Sequence, residues 1–271
     1  MNNTRLERVL RRDRAILLTA LAALAALAWI YVIWLGVDMA AMDPAMGHGP
    51  SGGAHRFAPT LADWSAGDFA AMMLMWSAMM VGMMTPSAAP MILIYARVGR
   101  QAAGAGTPFA AAGWFASGYL ISWAGFAALA TLLQWLLEQA MLLTPMMASA
   151  GPRFGGLLLI AAGIYQWTPL KDVCLTQCRS PLQFIQRHGG FRSDRSGAIA
   201  IGLRHGLYCI GCCWALMLLL FVGGVMNLLW IAGIAILVLA EKALPFGRLV
   251  SRVAGLALAA AGIALALGVT A

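Results

Sequence analysis

Runs of about 20 apolar residues recur along this chain, and as a helix each would span the roughly 30 Å of hydrocarbon in a bilayer. They fall near Ala15–Val37, Phe69–Arg97, Ala110–Leu137, Phe154–Leu170, Ala198–Val222, Leu228–Lys242 and Val250–Val269. The fourth and sixth are short, which leaves six or seven traverses. Of 271 residues, 62% are hydrophobic and only 10% charged, a balance far from that of soluble domains. The expected fold is all-α, a polytopic transmembrane helical bundle with the lipid bilayer as its principal partner. No internal repeat divides the sequence, so one bundle is the simplest architecture.

The net charge of +8 matters through its distribution. Five arginines lie within residues 1–14, and Arg97 and Arg100 follow the second run. Lys171, Arg179, Arg187, Arg192 and Arg195 follow the fourth, and Lys242, Arg248 and Arg252 follow the sixth. In a seven-span arrangement all of these face one side, against Arg56 and Arg153 on the other. The positive-inside rule then sets the N-terminus in the cytoplasm and the C-terminus outside. The basic balance reflects topology and not nucleic acid, because no basic, aromatic-interleaved platform is present.

The run at 15–37 is too long for a signal-peptide core and is expected to stay as an anchor, with a bacterial inner membrane as the best-fitting location. Residues 38–68 form one sizeable outer loop, rich in turn-forming residues. The remaining span, 69–271, is expected to be a six-helix metal-binding membrane domain whose main inner loop, 168–197, is polar and basic.

Within the fifth run lies HGLYCIGCC, His205 to Cys213, which holds three of the chain's five cysteines. At about 100° per residue, His205, Cys209, Cys212 and Cys213 occupy one helical face. Thiolate and imidazole suit Cu(I), zinc and iron–sulfur centres, and a thiolate in low dielectric needs a nearby cation. A bound metal would supply it. The competing reading treats buried cysteine as a small hydrophobe and gives His205 one interhelical hydrogen bond.

The second run carries seven of the 17 methionines between Met72 and Met84. Met72, Met75, Met79 and Met83 form one stripe, and Met73, Met80 and Met84 its neighbour. Such stripes are commonly packing, yet thioethers also select Cu(I), and Met79, Met80, Met83 and Met84 should share a depth with Cys209–Cys213. Pro86 and Pro90 are expected to interrupt the helix ladder there, a break that is tolerated where the freed backbone groups find other partners or line a cavity. Two loops extend the pattern: DMAAMDPAMGHG outside offers Met39, Met42, Met46 and His48, with Asp38, Asp43 and His55 nearby. CLTQC inside sets Cys174 and Cys178 four apart, on one face if that segment is helical, though CxxxC is a weaker sign than paired CxxC motifs.

Four stretches carry a family resemblance: MMTPSAAPM at Met83–Met91, GIYQWTPLKDVCLTQCRSP at Gly163–Pro181, GLRHGLYCIGCCWALM at Gly202–Met217 and LAEKALPFG at Leu239–Gly247. From Asp63 almost to the C-terminus the chain resembles the predicted metal-binding integral membrane proteins, some of which are regarded as copper chaperones for tyrosinase-type enzymes. The resemblance implies a multi-span helical protein handling copper through its cysteine segments, with a tyrosinase-like oxidase as the recipient. It implies nothing about the outer Met/His loop, which precedes most of the matching region.

Charges within apolar runs are functional candidates. Glu241 and Lys242 are expected to snorkel or pair with each other at an interface, and Arg204 either holds nearby cysteines as thiolates or reaches the headgroups. No G-x-S-x-G, Walker or H-E-x-x-H pattern occurs, so a non-enzymatic role is expected. The leading reading is a protein that receives Cu(I), ahead of zinc, and passes it on by thiolate and thioether exchange. Cys209, Cys212 and Cys213 would be the ligands, His205 an accessory, and Cys174 and Cys178 an inner docking pair. A thiol–disulfide oxidoreductase cycling CIGC against CLTQC and a structural assembly subunit with inert cysteines stand as alternatives. The oligomeric state is not fixed by sequence.

Overall fold

The structure, a computed structural model, describes residues 3–40, 64–102, 108–144, 147–192 and 194–268. Among these residues it is helical without strands, in agreement with the all-α expectation. The helices are α1 (Asn3–Ala40), α2 (Ala66–Ala102), α3 (Pro108–Gln139), α4 (Pro152–Tyr165), α5 (Pro169–Arg179), α6 (Pro181–Arg187), α7 (Arg195–Leu218), α8 (Leu220–Gly223), α9 (Leu228–Ala243) and α10 (Gly247–Ala266). Five segments are long and apolar enough to cross a membrane: Arg14–Asp38, Ala66–Gly99, Ala111–Gln139, Arg195–Gly223 and Gly247–Ala266. The fourth and sixth apolar runs fold as the shorter α4 and α9, of 14 and 16 residues. The Met/His segment expected as an outer loop lies outside the described residues from 41 to 63.

One local expectation is revised. The stretch 168–197, expected as a loop, holds α5 and α6. Each starts with proline in its first turn, after Thr168 and Ser180, and Thr168 accepts from the Lys171 amide at 3.3 Å; proline is pre-organised for that position. α2 continues as a helix through Pro86 and Pro90, and the expected interruption is confined to its hydrogen-bond ladder. Pro86 has no N–H for the carbonyl of Gly82. That carbonyl accepts from the Trp29 indole of α1 at 3.2 Å instead, and the Thr85 and Ser87 hydroxyls bond to the Val81 and Met84 carbonyls at 2.6 and 2.9 Å.

Close backbone contact at glycines sets the helix pairs. A Cβ on Gly202 of α7 would collide with the Phe115 carbonyl of α3, and farther along both helices one on Gly206 would collide with the Ser122 hydroxyl, which donates to the Leu203 carbonyl at 2.9 Å. Residue numbers rise together along this pair, so α3 and α7 run parallel. Between α4 and α10 they run oppositely, with Gly156 against Gly262 and Gly163 against Gly255; small residues let such helices approach without a large apolar interface. α2 packs along α3, α1 covers α2, and α5 lies on α7. Asp194 caps α7 by accepting from the Gly197 amide at 2.7 Å, and that bond with the Ser196 hydroxyl holds its carboxyl below the usual value.

A buried ionic clamp ties α5 to the α9–α10 corner. Lys171 donates to both carboxylate oxygens of Glu241, at 3.0 and 2.8 Å, with each side chain 1% exposed. Gln166 and Ser251 also donate to Glu241, at 3.0 and 2.9 Å, and Lys171 contacts the Gln166 carbonyl oxygen. Arg179 at the end of α5 reaches the Leu244 and Pro245 carbonyls at 2.6 and 2.8 Å. Glu241 therefore pairs with Lys171 and not with its neighbour Lys242, because adjacent residues on a helix point about 100° apart.

Candidate metal site

His205, Cys209, Cys212 and Cys213 are all buried on the expected face of α7. α5 brings a second set of thiols to that face. Its Cys174 and Cys178 lie four residues apart on a helix, and the Cys178 sulfur stands 4.0 Å from that of Cys212 and also interacts with Cys209. The approach depends on Gly211: a Cβ there would sit 2.7 Å from the Cys174 sulfur. The Tyr165 hydroxyl, from the end of α4, donates to the Gly211 carbonyl and fixes α4 to the same spot.

Cys209 is the electrostatic centre. The Lys242 ammonium donates to its sulfur at 2.9 Å and to the Ser87 hydroxyl of α2 at 3.3 Å. The Tyr119 hydroxyl of α3 lies 3.1 Å from the same sulfur and donates to the Met84 carbonyl at 3.4 Å. Cys212 and Cys213 donate their S–H groups to the Cys209 carbonyl at 3.0 and 2.9 Å. All five cysteines are free thiols. Four helices thus meet at one sulfur, with a cationic donor beside it in a low-dielectric setting where a charge must be paired.

Among the described residues, no three or more His, Cys, Asp or Glu side chains stand ready as a metal cage. Two thiols are instead turned onto their own helix backbone. The 4.0 Å between Cys178 and Cys212 is nonetheless close to the roughly 4.6 Å spanned by two collinear metal–sulfur bonds of about 2.3 Å. One soft ion between them needs only a small movement. Freed from the Cys209 carbonyl, Cys212 and Cys213 could turn toward the same point.

The other candidates are placed differently. His205 sits in an aromatic cage, 5.9, 5.7 and 5.2 Å from the rings of Phe115, Tyr119 and Phe184, and its buried Nδ1 has no hydrogen-bond partner among the described residues. Met79, Met80, Met83 and Met84 are buried in α2. α2 reaches the neighbours of Cys209 through the Ser87 hydroxyl, which accepts from Lys242, and the Met84 carbonyl, which accepts from Tyr119. Arg204 is exposed, away from the thiols. Lys242 occupies the place a cation needs beside Cys209. Sequence reasoning flagged Lys242 as a charge within an apolar run but not its partner, and nothing in the local pattern marked Tyr119 or Ser87.

A family model described as PpoB2: Copper chaperone matches residues 73–265, which include every one of these groups. No curated protein and no solved structure matches the chain.

Proposed function

The chain belongs to the PpoB2 copper-chaperone family, and from that premise we propose that it is a multi-pass membrane protein that accepts Cu(I) on buried cysteines and hands it to a copper-requiring enzyme of tyrosinase type. The observation that carries this reading is the meeting of Cys178 from α5 with Cys209 and Cys212 from α7, beside Lys242. Sulfur donors on two helices suit Cu(I) better than harder ions. Lys242 holds the place of the cation until the ion arrives.

Binding on this reading is a ligand exchange. Cu(I) displaces the Lys242 ammonium from the Cys209 sulfur, and Cys212 and Cys213 leave the Cys209 carbonyl, lose their protons and bind as thiolates. Cys178 is the mobile ligand: it joins before another leaves, so the metal is never released to solvent. Cys174 guides docking at the same face, His205 serves as an accessory donor through its unpartnered nitrogen, and Met79, Met80, Met83 and Met84 supply thioethers along α2. The role is delivery and not catalysis.

The membrane setting rests on the five long apolar helices and on outward aliphatic residues such as Leu27, Ile30, Leu129 and Leu256, the surface that lipid covers. The short α4 runs antiparallel to α10 over its length, and α9 spans about 24 Å at 1.5 Å per residue. Counting both gives seven traverses of a bacterial inner membrane with the N-terminus in the cytoplasm. Reporter fusions after Arg192 and at Ala271 should then report opposite compartments; the same compartment at both would break the seven-traverse arrangement.

The delivery role is tested by mixing the Cu(I)-loaded chain in nanodiscs with a copper-free tyrosinase-type enzyme. Activation should be faster than from a small Cu(I) chelate buffered to the same free metal. Equal rates would overturn delivery. The separation of Cys178 and Cys212 also favours a second reading, since thiols this close reach disulfide geometry after a rotamer change and exchange through mixed disulfides. A Cys178–Cys212 disulfide that forms and is re-reduced with each turnover of a partner thiol, without metal, would select that reading.

A further inference from the structure

At the end of the bundle where α2 begins and α3 finishes lies a second group of soft and polar donors. The Gln134 amide nitrogen of α3 sits 3.2 Å from the Met147 sulfur, 3.7 Å from the Met72 sulfur and 2.9 Å from a carboxylate oxygen of Glu138. The amide orientation is fixed, because the Trp76 indole donates to Gln134 Oε1 at 2.8 Å. An amide NH₂ has two hydrogens, and here three acceptors converge on it. Gln134, Met147 and Met72 are buried, and the Trp64 indole holds the other Glu138 oxygen at 3.0 Å.

The backbone adds an independent sign. Met147 has φ of 53°, in the left-handed region that non-glycine residues seldom occupy and that tends to mark functional positions. Its carbonyl is tied to the Val225 amide at 3.4 Å. The chain holds a strained residue whose thioether accepts from the same buried amide that donates to the half-buried Glu138 carboxylate. Packing alone does not call for that, since an aliphatic side chain fills space without a polar neighbour.

We propose that Met72, Met147 and Glu138 form a second Cu(I) site, occupied when the Gln134 side chain swings its amide nitrogen out of the point where the two sulfurs and the carboxylate converge. Two thioethers select a soft monovalent ion, and one carboxylate neutralises it in low dielectric. The donor set holds copper more weakly than thiolates, which suits an entry or exit stage at the opposite end of α3 from Tyr119. The site rests on the copper-handling reading, and in the seven-traverse arrangement it lies at the outer face.

The test uses the full chain in detergent micelles with all five cysteines changed to serine, titrated with Cu(I) against a competing chelator. One equivalent should remain bound. M72L with M147L, swaps that keep volume, should abolish it, and M91L with M217L, at buried methionines outside both sites, should leave it unchanged. In the cysteine-free chain, copper K-edge absorption should also show a first shell of two sulfurs with oxygen, with the sulfur lost in M72L/M147L. A cysteine-free chain that binds no Cu(I), binding that survives M72L/M147L, or a first shell without sulfur overturns the site. The cysteine reading fails separately, if the cysteine-free chain binds as much copper as the wild type.

Discussion

Changing Cys209, Cys212 and Cys213 together to serine should remove tight Cu(I) binding from the thiol site. The loss should exceed the roughly 10–100-fold that changes around a metal ligand cost, because the ligands themselves are gone. Serine keeps the shape and a hydroxyl able to bond to the Cys209 carbonyl, as Cys212 and Cys213 do at 3.0 and 2.9 Å, so the helix should persist. Competition titration reads the affinity, and circular dichroism confirms retained helix. Among single changes, Cys209→Ser should cost most, since its sulfur is where Lys242 and Tyr119 converge. Retained stoichiometric thiol-site affinity in the triple variant would reassign the ligands.

The second large effect concerns stability. Lys171→Ala leaves the Glu241 carboxylate buried with only neutral donors from Gln166 and Ser251, and removing one partner of a buried ion pair costs about 3–5 kcal/mol. Thermal unfolding in detergent should show the loss. The clamp also decides where α5 lies, so the same variant should expose Cys178, which then reacts faster with a membrane-permeant maleimide. A double replacement, Lys171→Met with Glu241→Leu, should recover much of the stability, because apolar pairs of similar volume often substitute for buried ions without loss. A Lys171→Ala protein as stable as the wild type would show that the clamp contributes little.

The sequence exposed the helical runs and the face of α7, because both follow from apolar content and the 3.6-residue period. His205, Cys209, Cys212 and Cys213 stand four, three and one apart along the chain and all are buried on one side. α5 was hidden by composition. Its polar, basic residues read as loop, although Thr168–Pro169 and Ser180–Pro181 are helix-start signals, and its stability comes from Lys171 and Arg179 bonding to α9 and the corner after it, contacts that no local pattern encodes. The partner of Lys242 was equally out of reach, since Cys209 is 33 positions away. Equal depth of Met79–Met84 and the cysteines follows from span positions, whereas the links of α2 to Lys242 and Tyr119 through Ser87 and the Met84 carbonyl are contacts that depth alone does not give. The continuity of α2 through two prolines likewise depended on Trp29, a donor from another helix.

Copper K-edge absorption spectroscopy on the chain loaded with a single equivalent of Cu(I) tests the central claim most directly. A first shell of sulfur alone, which takes up oxygen on changing Cys178, Cys209 and Cys212 to serine as the ion moves to the thioether–carboxylate site, and which M72L/M147L leaves unaffected while the cysteines are present, is the predicted result. A shell of nitrogen and oxygen, or a sulfur shell indifferent to those cysteines, would contradict it.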